Sequence, residues 1–449
     1  MNVAIPPAKF TQGSILRHVI VMTGTGSIGL MAIFVVDLLS LLYVSRLGDS
    51  KLTAAVGFAS QVLFFAMGIN IGLTIAVSAI VSRALGAGRR EEARRLAASS
   101  LVHVVVIGGV FALVVTPFRD DVLRLLGAQG ETLEVASNFL AITLPANILM
   151  AFGVALSGVL RAAGEAQRAM YVTLIGGLVT AVTDPLFIFG FGFGVYGAAI
   201  ATVISRVVFT IVGLYGAVYV RNLVARPQLA SVIADLRPMM AIAIPAVATN
   251  LATPVATAYA TRIFAQFGEP TIAAFAIIDR VTPLAFGAIF ALSGAVGPIM
   301  GQNVGARLFD RVRLTLTNCF TLTIGFVIVV WALLYLASPG IIAIFDAKGR
   351  TAELISFYCT WGAAAWIFLG CLFVANAAFN NLDYAILSTV FNWGRATLGT
   401  IPFVTWGAAH YGPEGGMAGV IGGAAMFGMI AVFAAYSCVG RLAKRLQTR

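Results

Sequence analysis

Charged side chains are scarce in this 449-residue sequence, where Asp, Glu, Lys and Arg make up 10% and hydrophobic residues 60%. A soluble domain carries about 25% charged residues, so this composition excludes an ordinary water-exposed surface. The mean hydropathy of +0.96 agrees. We therefore expect the protein to act inside or beside a lipid bilayer.

Residues that serve catalysis and metal binding are also few. The three histidines are isolated, and the four cysteines lie in or beside apolar runs without a CxxC pair, so we expect core residues. The GAGRREEARR loop has no preceding strand and no GKS or GKT sequence, so it is a poor phosphate-binding loop. The sequence predicts no enzyme, no cofactor and no metal site beyond the Na⁺ considered below.

Long apolar runs, each sufficient for the roughly 30 Å hydrocarbon core, fill the chain and predict an all-α membrane protein with twelve transmembrane helices. The predicted helices lie near 16–45, 52–82, 96–118, 133–160, 169–190, 194–220, 238–267, 271–299, 313–337, 352–378, 385–406 and 416–439.

Basic residues are unevenly divided between the connecting segments. With a cytoplasmic N-terminus, 19 of the 29 Lys and Arg residues fall on the cytoplasmic side and 7 on the other. This bias predicts that both termini are cytoplasmic, and it explains the net charge of +11 without a nucleic-acid partner. The first fourteen residues do not resemble a secretory signal.

The two halves of the sequence resemble each other at an offset of 219 residues. The segment IVSRALGAGRREEAR at 80–94 aligns with IMGQNVGARLFDRVR at 299–313. We therefore expect two six-helix lobes, 1–222 and 223–449, related by a pseudo-two-fold axis along the membrane normal. Transporters built in this way bind substrate between their halves.

Two acidic residues within predicted spans suggest a cation site. Asp37 in helix 1 has no basic residue for about nine positions on either side, and Asp184 in helix 5 precedes Pro185, which cannot donate to the carbonyl of Ala181. That carbonyl, the two carboxylates and the Thr180 hydroxyl are oxygen ligands suited to H⁺ or Na⁺. A helix–helix hydrogen bond used only for packing is the alternative.

The repeat favours the cation site over the packing bond. At offset 219, Asp37 corresponds to Ala256 and Asp184 to Phe403, so the acids occur in the first half alone. An intramembrane acid costs about 2.5–3.5 kcal/mol on insertion scales and needs a reason to be present.

Other charges inside spans are harder to interpret. Arg280, beside Asp279, is a possible cavity residue that would counter an anionic substrate, although a structural role is the alternative. Arg206 and Arg395 lie nearer helix ends, where we expect them to extend to the membrane surface or to contact cytoplasmic loops.

The segments VSRALGAGRREEARR, LSGVLRAAGEAQRAM, TDPLFIFGFGFGVYGAAIATVISR and PIMGQNVGAR resemble, in order, those of the multidrug and toxic compound extrusion (MATE) family. The resemblance implies a V-shaped pair of lobes that export organic compounds in exchange for Na⁺ or H⁺. It is most similar to the DinF-like branch, which implies coupling roles for Asp37, Asp184 and Thr202. Thr180 stands where that branch commonly has Asn.

We accordingly predict a monomeric multi-pass exporter of amphipathic or cationic organic compounds in the bacterial inner membrane. It would exchange substrate for H⁺ or Na⁺ by alternating access. A lipid-linked oligosaccharide flippase and an exporter of a small organic acid are the alternatives.

Overall fold

The computed structural model describes residues 8–447, so the first half of the predicted non-signal segment and Arg449 lie outside the described residues. Every regular element in the described range is helical. The α-helices are α1 Ile15–Ser45, α2 Ser50–Gly86, α3 Arg90–Val115, α4 Arg119–Leu125, α5 Gly130–Thr143, α6 Asn147–Ala162, α7 Ala166–Pro185, α8 Gly194–Leu214, α9 Leu229–Phe264, α10 Glu269–Gly305, α11 Phe309–Ile344, α12 Gly349–Thr360, α13 Ala365–Asn381, α14 Ala385–Gly394 and α15 Ile401–Gln447.

The helices between residues 15 and 446 provide twelve membrane crossings, as predicted. Ten helical runs between residues 15 and 446 are long and apolar enough to span, and α5 with α6 forms an eleventh span bent by 50°. The last run, Ala385–Leu446, has non-helical backbone at Tyr411 and Gly412, so it provides two crossings.

Two predicted helices are interrupted where the chain leaves the helix, whereas 385–406 continues as one helical run through the π-helical turn Arg395–Gly399. The run 133–160 breaks between α5 and α6, where Pro145 lacks an N–H and the Asn147 N–H bonds to the Leu144 carbonyl at 3.0 Å. The run 352–378 breaks at Trp361, before a short 3₁₀ turn. Continuous hydropathy does not reveal either break, because the interrupting residues are themselves apolar.

The repeat is visible in the helix boundaries. At offset 219, the start of α3 corresponds to the start of α11, that of α5 to that of α12, and that of α7 to that of α14. The ends of α2 and α10 agree in the same way. Both interrupted helices lie at equivalent places in the two halves, so the duplication extends to the irregular backbone.

The described residues form two compact units. The first contains Ile28–Val247 with the described residues up to Lys9, and the second contains Phe10–Ser27 and Ala248 onward. These units are defined by packing, whereas the predicted lobes 1–222 and 223–449 follow the sequence repeat and stay a prediction. The candidate site lies wholly within the first unit.

Candidate functional site

Helices α1 and α7 pack closely in the first unit because small residues line their contact. A Cβ atom on Gly29 would lie 2.2 Å from Thr173 Oγ1, and one on Gly177 would lie 3.6 Å from the Ala32 Cβ. Partners in both pairs are 144 or 145 residues apart, so the helices run parallel in fixed register. The same spacing brings Asp37 level with Ala181.

Asp184 is buried near the end of α7, with 1% of its surface exposed. Its Oδ2 accepts a hydrogen bond from the Ser40 hydroxyl of α1, one turn beyond Asp37. Its Oδ1 is buried and receives no hydrogen bond from any described residue. An unsatisfied buried carboxylate oxygen is costly, and a bound cation would remove that cost.

Asp37 lies in the same region as Asp184 but is less buried. Its side chain is exposed on the surface of the unit, and it interacts electrostatically with Asp184 and with the guanidinium group of Arg206. The structure therefore brings the two predicted aspartates into one electrostatic group. Ser40, which sequence reasoning missed, makes the direct hydrogen bond between the helices.

Thr180 is buried one turn before Asp184, and its hydroxyl donates to the Gly176 carbonyl at 3.1 Å. A hydroxyl that donates in this way keeps lone pairs that can accept or coordinate. Pro185 cannot bond to Ala181, and a π-helical turn, Leu186–Gly190, follows. These features agree with the predicted oxygen-rich region.

Thr202 lies on α8, which packs against α7. Its hydroxyl donates to the Ala198 carbonyl at 2.9 Å within its own helix. A hydrogen bond from α8 to α7 comes instead from Ser205, whose hydroxyl donates to the Gly176 carbonyl at 3.0 Å. Among the described residues, no hydrogen bond joins Thr202 to either aspartate, so its coupling role stays a prediction.

The expectation that Arg206 reaches the membrane surface is wrong. Arg206 is buried, and its Nη1 donates to the Thr143 carbonyl. That carbonyl is available because α5 ends there, and the Asn147 N–H that would otherwise bond to it turns to Leu144. Arg206 thus binds at the break between α5 and α6, and its positive charge interacts with Asp37.

Arg395 in the second unit also departs from the expectation. It is buried, and its Nη2 donates to Thr253 Oγ1 at 3.2 Å. A single apolar sequence window cannot distinguish such an arginine from one at a helix end, because its partner comes from a distant helix.

Among its described residues, the second unit has no acidic pair at the equivalent positions. Ala256, the counterpart of Asp37, packs in a small cluster of buried alanines, and Phe403 replaces Asp184. Asp279 and Arg280 are both exposed on α10. The predicted cavity role of Arg280 stays a prediction. No group of three or more His, Cys, Asp or Glu able to hold a metal occurs in the described part of the chain.

The MatE family model matches residues 27–186 and again residues 245–406. The chain belongs to the MatE family. The second match starts 218 and ends 220 residues after the first (245 against 27, 406 against 186), which agrees with the offset seen in the helix boundaries. The predicted family membership and twelve-helix fold are confirmed.

Two relatives align with most of this chain. The chain is 26% identical over 402 residues to a protein of Shewanella oneidensis named FAD transporter, covering 86% of this chain and 87% of that one. It is 26% identical over 347 residues to the multidrug export protein MepA of Staphylococcus aureus, covering 74% and 73%.

A solved structure agrees in fold. The Vibrio cholerae MATE transporter VcmN, in its bent form, is similar with a TM-score of 0.89 at 24% identity, covering 95% of this chain and 98% of that one. MatE proteins and these neighbours are transporters and not enzymes. This MatE chain is a multi-pass membrane transporter.

Proposed function

We propose that this MatE protein is a secondary active exporter that exchanges amphipathic or cationic organic compounds for H⁺ or Na⁺ by alternating access. The observation that carries the proposal is Asp184, buried in α7 with an Oδ1 that lacks any described hydrogen-bond donor. A carboxylate kept in this condition is suited to bind and release a cation. The proposed lobes are 1–222 and 223–449.

The charges of the site suggest how many ions bind. With both carboxylates ionised, Asp37, Asp184 and Arg206 together carry a net charge of −1. One monovalent cation neutralises this group, so the proposal is one H⁺ or Na⁺ in each transport cycle. Thr180 and the Ala181 carbonyl supply further oxygen ligands at the level of Asp37, and Thr202 is a candidate on α8.

Cation binding is proposed to weaken the hydrogen bond that joins α1 to α7. The Asp184 carboxylate accepts from Ser40 while it is ionised. A cation at the Oδ1 side weakens that acceptor and permits α1 to shift along α7, where the small residues Gly29 and Gly177 allow close approach. The proposed result is a smaller substrate space in the cation-bound first half and release of the cargo outward.

The membrane potential limits what this exchange can achieve. One net charge moving across the membrane provides about 2.3 kcal/mol per 100 mV, or roughly fifty-fold accumulation. Exchange of one cation for one cationic compound moves no net charge and depends on the ion gradient alone. We propose that the protein works as a monomer in the bacterial inner membrane with both termini in the cytoplasm.

Proteoliposomes containing the purified full chain test this proposal. Ethidium is the cargo, and H⁺ and Na⁺ gradients are imposed separately. We expect one gradient to drive ethidium movement in the wild type and in the control Asp279→Asn, which removes an exposed acid of the second unit. Asp37→Asn and Asp184→Asn should abolish it, and equal transport by a folded Asp184→Asn protein would contradict the proposal.

The relative named FAD transporter favours a second candidate, export of an anionic compound. Arg280, exposed on α10, would then counter the cargo charge. FAD and citrate in the same liposomes test it, with Arg280→Gln expected to reduce anion transport and leave ethidium transport unchanged. If folded protein moves neither cargo class, the result would favour a flippase of lipid-linked oligosaccharides.

A further inference from the structure

A groove of about 390 Å³ lies in the second unit, apart from the candidate cation site. Aromatic side chains from two helices form its walls: Phe357 of α12 and Phe403, Trp406 and Tyr411 of α15. Drug-sized ligands occupy pockets of about 300–1,000 Å³ with mostly apolar linings, so the groove suits a compact organic molecule.

Glycines make the groove possible. A Cβ atom on Gly415 would lie 2.1 Å from the Gly407 carbonyl oxygen, so the two parts of α15 cross with their backbones in contact. The chain reverses between them at Gly412, whose φ of 66° is a conformation that favours glycine. The groove floor therefore carries no large side chains, and the aromatic rings stand at its edges.

The exposed faces of these rings are suited to a cation. Trp406 and Tyr411 have 60% and 68% of their surfaces exposed, and their ring centroids are 5.9 Å apart at an angle of 65°. His410 lies over one face of Trp406, with the ring centroids 4.8 Å apart, so an organic cation would be attracted to the opposite Trp406 face and to the Tyr411 ring through their ring electrons. Neutral apolar ligands gain no such electrostatic attraction.

Charge at the groove edge has the complementary sign. Glu414 lines the groove, and its Oε2 lies 2.5 Å from Nη2 of Arg350. Arg350 also contacts Glu353 at 2.9 Å, so one guanidinium group is shared by two carboxylates and the three side chains carry a net charge of −1. An anionic ligand or an anionic lipid headgroup would be repelled here.

We propose that this groove binds lipophilic aromatic cations at the non-cytoplasmic end of the second half, separately from the coupling site. The ligand class rests on the proposed function, which has such cations released on that side. The groove contains neither Asp37 nor Asp184, so binding there does not require the coupling carboxylates.

Equilibrium dialysis of radiolabelled tetraphenylphosphonium against the purified full chain tests the proposal. The background is Asp37→Asn/Asp184→Asn, which removes the coupling carboxylates and leaves the groove intact. In that background, Trp406→Leu and Glu414→Gln should each weaken binding about five-fold or more. Two substitutions matched in kind, Trp361→Leu and Glu131→Gln, lie outside the groove lining and outside its charge group, since Glu131 pairs with Lys51 in the first unit, and should change it less than about two-fold.

Thermal unfolding of each variant identifies any loss of fold. Tyr411→Leu is a further variant of the groove lining and should also weaken binding. Affinity unchanged by Trp406→Leu and Glu414→Gln would overturn the proposal. Competition by tetraphenylborate as strong as that by tetraphenylarsonium would overturn it also, since a site for any hydrophobic molecule, such as a lipid chain, ignores charge. Binding with the expected pattern would stand even if gradient-driven export were absent, so the two proposals fail separately.

Discussion

Ser40 supplies the one hydrogen bond that the Asp184 carboxylate accepts from the described residues, so Ser40→Ala isolates this contact. A hydrogen bond to a charged group is worth about 1.5–3 kcal/mol. Its loss leaves an ionised, 1%-exposed carboxylate without a donor and raises the free energy of the ion-free site. The ion-bound site is affected less, because the bound cation has reduced the charge.

The difference should appear as tighter ion binding. Since about 1.4 kcal/mol corresponds to a factor of ten, the lower end of that range predicts roughly a ten-fold decrease in the half-saturating ion concentration. The maximal export rate should fall as well, because an ion held more tightly is released more slowly to the cytoplasm.

Initial rates of ethidium export in proteoliposomes, measured over a series of ion concentrations, check this prediction. Ser27→Ala is the matched control, because the Ser27 hydroxyl bonds to the Thr23 carbonyl within α1 at 2.8 Å. Ser40→Thr should restore wild-type behaviour in part. An unchanged half-saturating concentration would refute the reasoning, and an increased one would show that Ser40 is a ligand of the cation and not its competitor.

Three further predictions concern the first unit. Arg206→Gln should reduce gradient-driven export at least about ten-fold in correctly inserted protein, because the aspartates lose their counter-charge; flux assays measure it. Asp235→Asn should lower the free energy of unfolding by about 2 kcal/mol, or the melting temperature by roughly 5 °C, because Nη1 of half-exposed Arg95 donates to both oxygens of the buried carboxylate at 2.9 and 3.0 Å. Gly197→Ala should lower the melting temperature by roughly 5 °C, because its Cβ would lie 2.6 Å from a backbone carbonyl, whereas Gly57→Ala, with no atom within 4 Å, should not.

Much of the fold follows from the sequence because hydrophobic length and repetition are one-dimensional properties. The twelve spans and the offset of 219 were predicted from the sequence, and equivalent helix boundaries agree with both. The interruptions near Pro145 and Trp361 were not predicted. Their causes are local backbone geometry and tertiary contact, which a hydropathy window averages away.

The candidate site was predicted only as far as its rare residues allowed. Intramembrane acids are costly, so Asp37 and Asp184 were conspicuous in the sequence. Ser40 was not, since serine is common in apolar helices, although its position one turn beyond Asp37 was the available signal. Arg206 required knowledge of the α5 break, because its partner is the carbonyl freed there.

Asp184 is proposed to couple the ion to the cargo, and a comparison of two transport modes in Asp184→Asn proteoliposomes tests this claim most directly. One assay measures ethidium accumulation driven by the ion gradient, and the other measures exchange of labelled for unlabelled ethidium without a gradient. The account predicts that accumulation is lost while exchange persists, because cargo binding and the conformational change remain. Accumulation at the wild-type level in the variant would contradict it.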